Sequence, residues 1–296
     1  MDAYNHFKSL LNSDCIYLEG TSDFFRALPQ VASPHSNVSL SGVIFEEEVR
    51  SEIWHLEPEK ALGLDGFSIS FYNLFWNVIK KDLIKMLNYT RVNKKLGGCT
   101  NSSFLALIPK ESNPISFSRF HPILLCNSSY KILTKIIANR IKPLLSSIIS
   151  ENQGGFMQHR NILDNIILVQ EVMHSRKEEG EVGMIIKLDM ENAFGQVNHS
   201  FLFLLMEKLG FSNEFISWIK YCIGSPLVTP LINGRHAPFF TASRGFLQRC
   251  PLSPLLYIIM AKALSSQLEV GWLDVSLLGL NIGIKVRGNQ SLLLHR

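Results

Sequence analysis

The stretch MIIKLDMENAFGQV, residues 184–197, decides how this sequence folds. An apolar run that ends at Asp189 predicts a strand over residues 184–190, followed by a polar turn. Asn198 or Ser200 can cap the helix that follows, through about Leu209. Gly210 then ends that helix in the usual way. A carboxylate at the end of a strand, where the backbone is rigid, is therefore the first candidate functional group.

The residues after this stretch predict a helix, a hairpin and a second helix. The first helix covers residues 215–222. Two extended arms, residues 227–232 and 235–242, flank an Asn-Gly pair, which is the strongest short hairpin signal. Pro251 is expected to open the last clear helix, because proline is tolerated at the first helical position.

The residues before it are mainly helical in pattern. Residues 21–42 are rich in Ser, Pro, Asn and Gly and predict a loop. Apolar spacing of three to four residues predicts helices over residues 46–56, 70–91, 128–145 and 161–176. The second of these has its expected buried face at Phe71, Leu74, Phe75, Val78, Ile79, Leu83 and Leu87. The third is expected to bury its isoleucines and to carry Lys131, Lys135, Arg140 and Lys142 on its other faces.

A short strand is predicted over residues 105–109. Together these elements predict an α+β fold, with helices in the first half and then a small antiparallel sheet with helices on one face.

Composition limits the classes of function. The chain has 296 residues with 46% hydrophobic residues, enough for a sizeable core. Lys plus Arg exceed Asp plus Glu by 29 to 25, which suits a nucleic-acid binder without proving one. Five scattered cysteines without metal-ligand spacing favour free thiols in a reducing compartment. With neither a signal peptide nor a transmembrane segment recognised, we expect a cytoplasmic or nuclear protein away from membranes.

Six segments make the sequence more specific. They are GLDGFSISFYNLFW (63–76), NSSFLALIPKESNP (101–114), FHPILLCNSSYKILTKIIANRIKPLL (120–145), ISENQGGFMQHRNILDNIILVQEVMH (149–174), KLDMENAFGQV (187–197) and LINGRHAPFFTASRGFLQRCPLSPLL (231–256). In this order and spacing they resemble the reverse transcriptase domain of LINE-type (non-LTR) retrotransposons, especially those abundant in plant genomes. The nearest neighbouring family is that of the intron-encoded maturases. The segments over residues 120–123 and 152–156 resemble the LINE type more closely than they resemble this family.

The resemblance implies a right-hand polymerase fold with fingers and a partial palm, the thumb being absent. It divides the chain into an N-terminal extension and linker (1–45), a fingers-like helical region (46–183) and a partial palm (184–296). The implied partners are an RNA template and an RNA–DNA hybrid, with deoxynucleotides if the chain is active.

The resemblance also implies RNA-templated DNA synthesis with Mg²⁺. Two metals about 3.5–4 Å apart stabilise the attacking and leaving oxygens of phosphoryl transfer, and hard cations need carboxylate oxygens. Asp189 matches the family's catalytic and metal-binding carboxylate, and the carbonyl of Met190 matches a second ligand.

Further residues match nucleotide and nucleic-acid contacts of the family. Phe194 matches the aromatic gate against a ribose 2′-hydroxyl, Gln248 a glutamine near the incoming nucleotide, and Lys110 a cation for phosphate or template. Lys131, Lys135, Arg140 and Arg160 are weaker candidates for backbone contacts.

Several positions depart from the family pattern. Gly195 stands in place of an aspartate, Arg249-Cys250 in place of Gly-Asp, Leu247 in place of a basic residue, and His121 in place of an arginine. The sequence also has no Asp-Asp pair, which the family places beyond the Pro-Leu-Ser-Pro helix. We therefore expect a chain that lacks polymerase activity and does not hold two metals close together.

Other interpretations stay open at this point. Asp189 alone could be a turn residue, Phe194 a core residue, and the basic residues a solvated helix face. The chain could be an active enzyme if it is incomplete, a binding remnant for RNA or an RNA–DNA hybrid, or a transposon-derived fragment without function.

Overall fold

A computed structural model describes residues 2–12, 25, 28–95, 97, 100–157, 159–180, 185, 189–190, 193–224, 226–246 and 250–273. Within them we number ten helices: α1 Asp2–Leu11, α2 Pro34–Leu40, α3 Glu46–His55, α4 Ile69–Leu74, α5 Trp76–Asn93, α6 Ser128–Ile148, α7 Ile162–Glu179, α8 His199–Lys208, α9 Asn213–Ile223 and α10 Ser253–Leu273. The strands are β1 Ser102–Pro109, β2 Phe120–Cys126, β3 Leu227–Ile232, β4 Arg235–His236 and β5 Phe240–Thr241. The mixed α+β composition agrees with the predicted class.

One sheet joins strands that are far apart in the sequence. Its order is β2-β1-β3-β4, with β5 also paired to β3. β1 runs antiparallel to β2 but parallel to β3, with Ser102 opposite Leu227. The expectation of an antiparallel sheet was therefore wrong for the β1–β3 pair, whereas β4 and β5 both pair antiparallel with β3. Parallel neighbours need a long crossover connection, and here α6 to α9 supply it.

The hairpin predicted around Asn233-Gly234 is confirmed, since β3 pairs antiparallel with β4 across that turn. Asn233 and Gly234 both have positive φ, 49° and 75°, as a type I′ turn requires. The second arm is interrupted after His236 and resumes as β5. Pro238 lies in the interruption, and proline lacks the N–H that a ladder bond needs.

α6 is the centre of the core. Ile132, Leu133, Ile136, Ile137 and Ile141 are all fully buried, as predicted. The helix packs against α2, α3 and α10. Because Lys131 is only 8% exposed, the expectation that it lies on a solvent-facing side was wrong. Its Nζ donates to the carbonyl of Ala61 at 2.9 Å, in the loop that covers the start of α6.

Two predicted helices differ from the observed ones. The helix expected over residues 70–91 is two helices, α4 and α5, which meet at Phe75. Leu74 and Val78 are 79% and 76% exposed, so the expectation that they lie on the buried face was wrong. Within α5, Val78 lies about half a turn around the helix from the buried Leu87. The last helix begins at Ser253, not at Pro251, which lies in the preceding turn. Pro254 then occupies the first helical turn, where a missing N–H costs nothing.

Helix ends follow local chemistry. The side chain of Asn198 accepts from the N–H of Phe201 at 2.9 Å, which confirms the predicted cap of α8. Asn161 caps α7 in the same way through Leu163.

Within the described part of the chain, Cys126, Cys222 and Cys250 are buried free thiols. None of the described helices combines the length and apolarity that crossing a bilayer requires.

Candidate nucleotide and nucleic-acid site

The region around Asp189 is described only in part. Of the strand predicted over residues 184–190, the structure describes Ile185, Asp189 and Met190, none of which lies in regular secondary structure; the other residues lie outside the described part. Asp189 and Met190 are exposed, Met190 to 55%. The hydroxyl of Tyr257 on α10 lies 3.7 Å from the sulfur of Met190, which ties this segment to the helix.

Phe194 is held by aromatic neighbours. It lies in a 3₁₀ turn, Ala193–Gln196. Its ring stacks on Tyr257 with 5.0 Å between centroids and 24° between planes. Phe246 meets it at 66°, with 6.4 Å between centroids. Such pairs contribute about 0.5–1.5 kcal/mol each beyond burial. Phe194 is half-buried, so one part of a well-fixed ring is left to meet a ligand.

The loop that precedes Gln248 packs on the same turn. The N–H of Phe246 donates to the carbonyl of Phe194 at 2.8 Å, and that of Gly245 to the carbonyl of Val197 at 2.9 Å. Gly245 has φ of +80°, and a Cβ there would lie 3.0 Å from the carbonyl oxygen of Gly195. This close backbone contact requires glycine. Gln248 follows two residues after Phe246 and lies outside the described residues.

His199 fixes this loop from α8. It is 6% exposed, and its Nε2 lies 2.7 Å from the carbonyl oxygen of Gly245. A carbonyl can only accept, so Nε2 carries the proton. Burial lowers the pKa of His199 below its ordinary value of 6.5, and the hydrogen bond to Gly245 opposes that shift. The ring is therefore a neutral donor that positions the loop.

This pKa predicts a pH dependence of stability. Below pH 6.5 the unfolded chain protonates His199 while the folded chain resists, so unfolding takes up a proton. The free energy of unfolding should fall as pH drops through 6.5 and level off below the folded pKa. Urea unfolding of the parent and of His199→Gln between about pH 7.5 and 5.5 measures this term. The parent should lose more stability over that range than the variant.

His121→Gln is the control, because His121 is exposed on β2. It should keep the pH dependence of the parent. Equal slopes for the parent and His199→Gln would contradict a buried neutral imidazole.

A cleft of about 340 Å³ opens beside these residues. Its lining is almost entirely apolar and includes Met190, Ala193, Val197, Tyr257, Met260 and Leu264. Apolar walls offer no ligands to a cation or a phosphate. Among the described residues of the 185–190 segment, the exposed Asp189 supplies a carboxylate, the kind of group that a hard cation requires.

The other predicted residues lie on different elements. Lys110 is exposed at the end of β1, where its Nζ donates to the carbonyl of Ser118 at 3.2 Å. Lys135 is half-buried on α6. Arg160 donates through Nη1 to the carbonyl of Gln153 at 3.0 Å and so closes the loop before α7. The structure joins Met190 to Phe194 through Tyr257; the contacts of Lys110 and Arg160 lie elsewhere.

The guanidinium of Arg140 is bonded to other groups of the protein. Its Nε and Nη2 each lie 2.7 Å from an oxygen of Glu48. It also donates to the carbonyls of Leu40, Gly42 and Val43 at 3.1, 2.7 and 3.0 Å. With Lys131 buried as well, neither group is available to a phosphate without breaking internal bonds.

The residues that the structure describes do not assemble the implied two-metal centre. No group of three or more His, Cys, Asp or Glu side chains is placed to hold a metal ion within the described residues. Asp189 with the Met190 carbonyl is one carboxylate where two close metals need more.

Tyr257, Phe246 and His199 were missed from the sequence. Tyr257 lies in an apolar helix that signals only burial, and nothing local shows which aromatic residue it faces. His199 had a weak signal, since it directly follows the predicted cap Asn198.

The sequence is similar to several known proteins. The sequence profile described as "Reverse transcriptase (RNA-dependent DNA polymerase)" matches residues 108–284. The chain is 27% identical over 255 residues to "Transposon TX1 uncharacterized 149 kDa protein" of Xenopus laevis, covering 86% of this chain and 19% of that protein. It is 26% identical over 152 residues to "Retrovirus-related Pol polyprotein from type-1 retrotransposable element R2" of Popillia japonica. This match covers 51% of this chain and 21% of that protein.

The chain thus spans about one fifth of the length of these relatives. Because these two come from Xenopus laevis and Popillia japonica, the expected likeness to plant elements stays a prediction. Among solved structures, "Partial Cas6-RT-Cas1--Cas2 complex" matches with a TM-score of 0.41 and 18% identity, covering 81% of this chain and 34% of that one.

Proposed function

Because the chain belongs to the reverse transcriptase (RNA-dependent DNA polymerase) family, as a domain of the non-LTR retrotransposon type, we propose that it binds an RNA template and an RNA–DNA duplex without extending a primer. In this proposal residues 46–183 are the fingers and residues 184–296 a partial palm, preceded by an extension and linker over 1–45. The compartment would be the cytoplasm or nucleus, where such templates occur.

The observation that carries the proposal is the fixed aromatic wall beside an exposed carboxylate. Phe194 stacks on Tyr257 and is crossed by Phe246, and the Tyr257 hydroxyl lies 3.7 Å from the sulfur of Met190, the residue after the exposed Asp189. A rigid aromatic face suits the sugar or base of a nucleotide. The carboxylate suits a hydrated cation that accompanies phosphate. In this proposal Gln248 would contact the incoming nucleotide.

Exposed cations would hold the strand that leads to this wall. Lys110 extends from the β1–β2 hairpin, and Arg119 lies on the same hairpin and is exposed. Arg119 is weakly paired with Glu111, at 3.8 Å. Contacts of this kind position a strand without reading its sequence. Lys135 can add a further contact, whereas Arg160 supports the loop before α7.

The absence of catalysis is proposed from the site residues. The reverse transcriptase family generally uses divalent metal ions. Asp189 is the carboxylate that the described residues contribute to this site, and Gly195 and Cys250 each stand where the family pattern has an aspartate. One carboxylate does not hold two Mg²⁺ ions at the separation that phosphoryl transfer needs.

Binding and extension can be tested on one preparation. Fluorescence anisotropy with a labelled RNA–DNA primer–template should show affinity falling steeply between about 50 and 200 mM salt, as counterions are released. Lys110→Ala should lower the slope of log affinity against log salt by about one. Lys81→Ala, an exposed lysine on α5, is the matched control. With Mg²⁺ or Mn²⁺ and deoxynucleotides, no primer extension is expected beside an active polymerase run in parallel.

Each half of the proposal has its own contradicting outcome. Affinity that does not change with salt would exclude binding through phosphates. Metal-dependent extension by the purified chain would exclude the inactive assignment and leave binding intact.

A further inference from the structure

A groove that shares no lining residue with the cleft beside Met190 lies between the C-terminal half of α6 and the loop over residues 150–161. Its volume is about 510 Å³. It is lined by Lys142, Pro143, Leu145, Phe156, Met157 and His159. The lining combines an aromatic ring, two basic side chains and an apolar floor, a composition unlike that of the cleft beside Met190.

The loop that forms one wall is tied down at both ends. Arg160 donates to the carbonyls of Ser150 and Gln153. The side chain of Asn165 on α7 donates to the carbonyl of Asn152 at 2.9 Å. A Cβ on Gly154 would lie 3.2 Å from the carbonyl oxygen of Asn161, so the loop lies directly on the start of α7. The groove is therefore preformed.

Two residues of this wall have unfavourable backbone conformations. Phe156 has φ of 60° and His159 has φ of 63°. Side chains other than glycine rarely adopt this left-handed region, and a bulky one is an outlier there. Despite this cost, the Phe156 ring is 61% exposed. Strain that places a large apolar ring in solvent contributes nothing to folding, and such strain concentrates at binding sites.

The charge of the groove favours an anion. Lys142 and His159 are exposed on its two sides. Burial and the nearby charge of Lys135 lower the pKa of Lys142, while Glu52 opposes the shift. Glu52 is itself engaged by the side chain of Asn139. Glu151 is exposed at the start of the loop and is the acidic group that a phosphate would have to avoid.

We propose that this groove binds single-stranded nucleic acid, with one base stacked on Phe156 and an adjacent phosphate between Lys142 and His159. The proposal rests on the proposed nucleic-acid binding of the chain and adds a second, single-strand-specific contact. Base stacking on an aromatic ring tolerates any sequence, because every base has a flat face. Arg160 acts here as a positioning residue, since its guanidinium holds the loop.

The test compares two probes on the full chain. One is a blunt RNA–DNA duplex, and the other is the same duplex with a 5′ RNA overhang of about eight nucleotides. The parent should bind the overhang probe more tightly than the blunt one. Phe156→Gly should remove most of this difference, a loss on the order of tenfold, and should bind the blunt duplex like the parent.

Phe156→Gly separates binding from folding. Glycine adopts positive φ freely, so this variant should unfold at the same or higher urea concentration than the parent while losing the overhang preference. Phe156→Trp should keep that preference, because it keeps a stacking surface. Tyr89→Ala, which removes a 57% exposed ring on α5 outside this groove, should change nothing.

The outcomes distinguish the two proposals. If Phe156→Gly retains the overhang preference, or if the parent has none, the groove assignment is wrong while duplex binding stands. If the parent binds neither probe, both the proposed function and the groove assignment are wrong.

Discussion

Replacing Arg140 with alanine should lower the free energy of unfolding by about 3 kcal/mol, near the lower end for breaking a buried ion pair from one side. The side chain of Arg140 is 11% exposed and that of Glu48 27%. The substitution would leave the carboxylate of Glu48 and the carbonyls of Leu40, Gly42 and Val43 without their donor. It would also remove the cation 5.9 Å above the ring of Trp218. Urea unfolding followed by tryptophan fluorescence measures the loss.

The reason for the size of this effect is geometry. The guanidinium is a planar fork whose two nitrogens meet the two oxygens of Glu48, a bidentate arrangement that an ammonium cannot reproduce. Arg140→Lys should therefore recover only part of the loss. The single group joins α6 to the α2–α3 connection and to α9.

Arg119→Ala is the matched control. Arg119 is 63% exposed and lies 3.8 Å from Glu111, so its removal should change stability by no more than about 0.5 kcal/mol. The double variant Arg140→Ala with Glu48→Ala should be less unstable than the sum of its parts, because it leaves no unpaired charge. Equal effects of the Arg140 and Arg119 substitutions would show that the Glu48 pair is not formed in solution.

Arg140 also shows where sequence reasoning stopped. Helical periodicity correctly identified the isoleucine face of α6, because burial of one face repeats along the sequence. It carries no information on what covers the other faces. The same limit applies to Lys131, which the loop over residues 60–67 covers. A basic residue off the apolar stripe therefore looked available to phosphate although the fold encloses it.

Local signals predicted local structure well. The Asn233-Gly234 turn and the Asn198 cap were both found, since each needs only a few neighbouring residues. The parallel pairing of β1 with β3 could not be found in this way, because it joins residues more than a hundred positions apart. The candidate site shows the same division: Phe194 was recognised by its segment, whereas its partner Tyr257 is a contact of the fold.

Gly63→Ala should cost at least about 2 kcal/mol, in the upper part of the range for overpacking. A Cβ at this position would lie 2.3 Å from the Oδ1 of Asn127 and 2.5 Å from its Cα and N. The obstacle is mostly the backbone at the start of α6, so no flexible side chain can move aside. The loop must shift, and with it three bonds to α6: the N–H of Asp65 to Asn127, the hydroxyl of Ser128 to Phe67, and Lys131 to Ala61.

Gly66→Ala, three residues away, isolates the steric part of this prediction. Gly66 has φ of +70°, but a Cβ there meets nothing within 4 Å. Its cost is backbone strain alone, about 1 kcal/mol. Urea unfolding should therefore rank the parent above Gly66→Ala and Gly66→Ala above Gly63→Ala. If Gly63→Ala is no less stable than Gly66→Ala, the loop does not lie against α6 in solution. The loop would then no longer cover Lys131, and this lysine would again be a candidate for a phosphate contact.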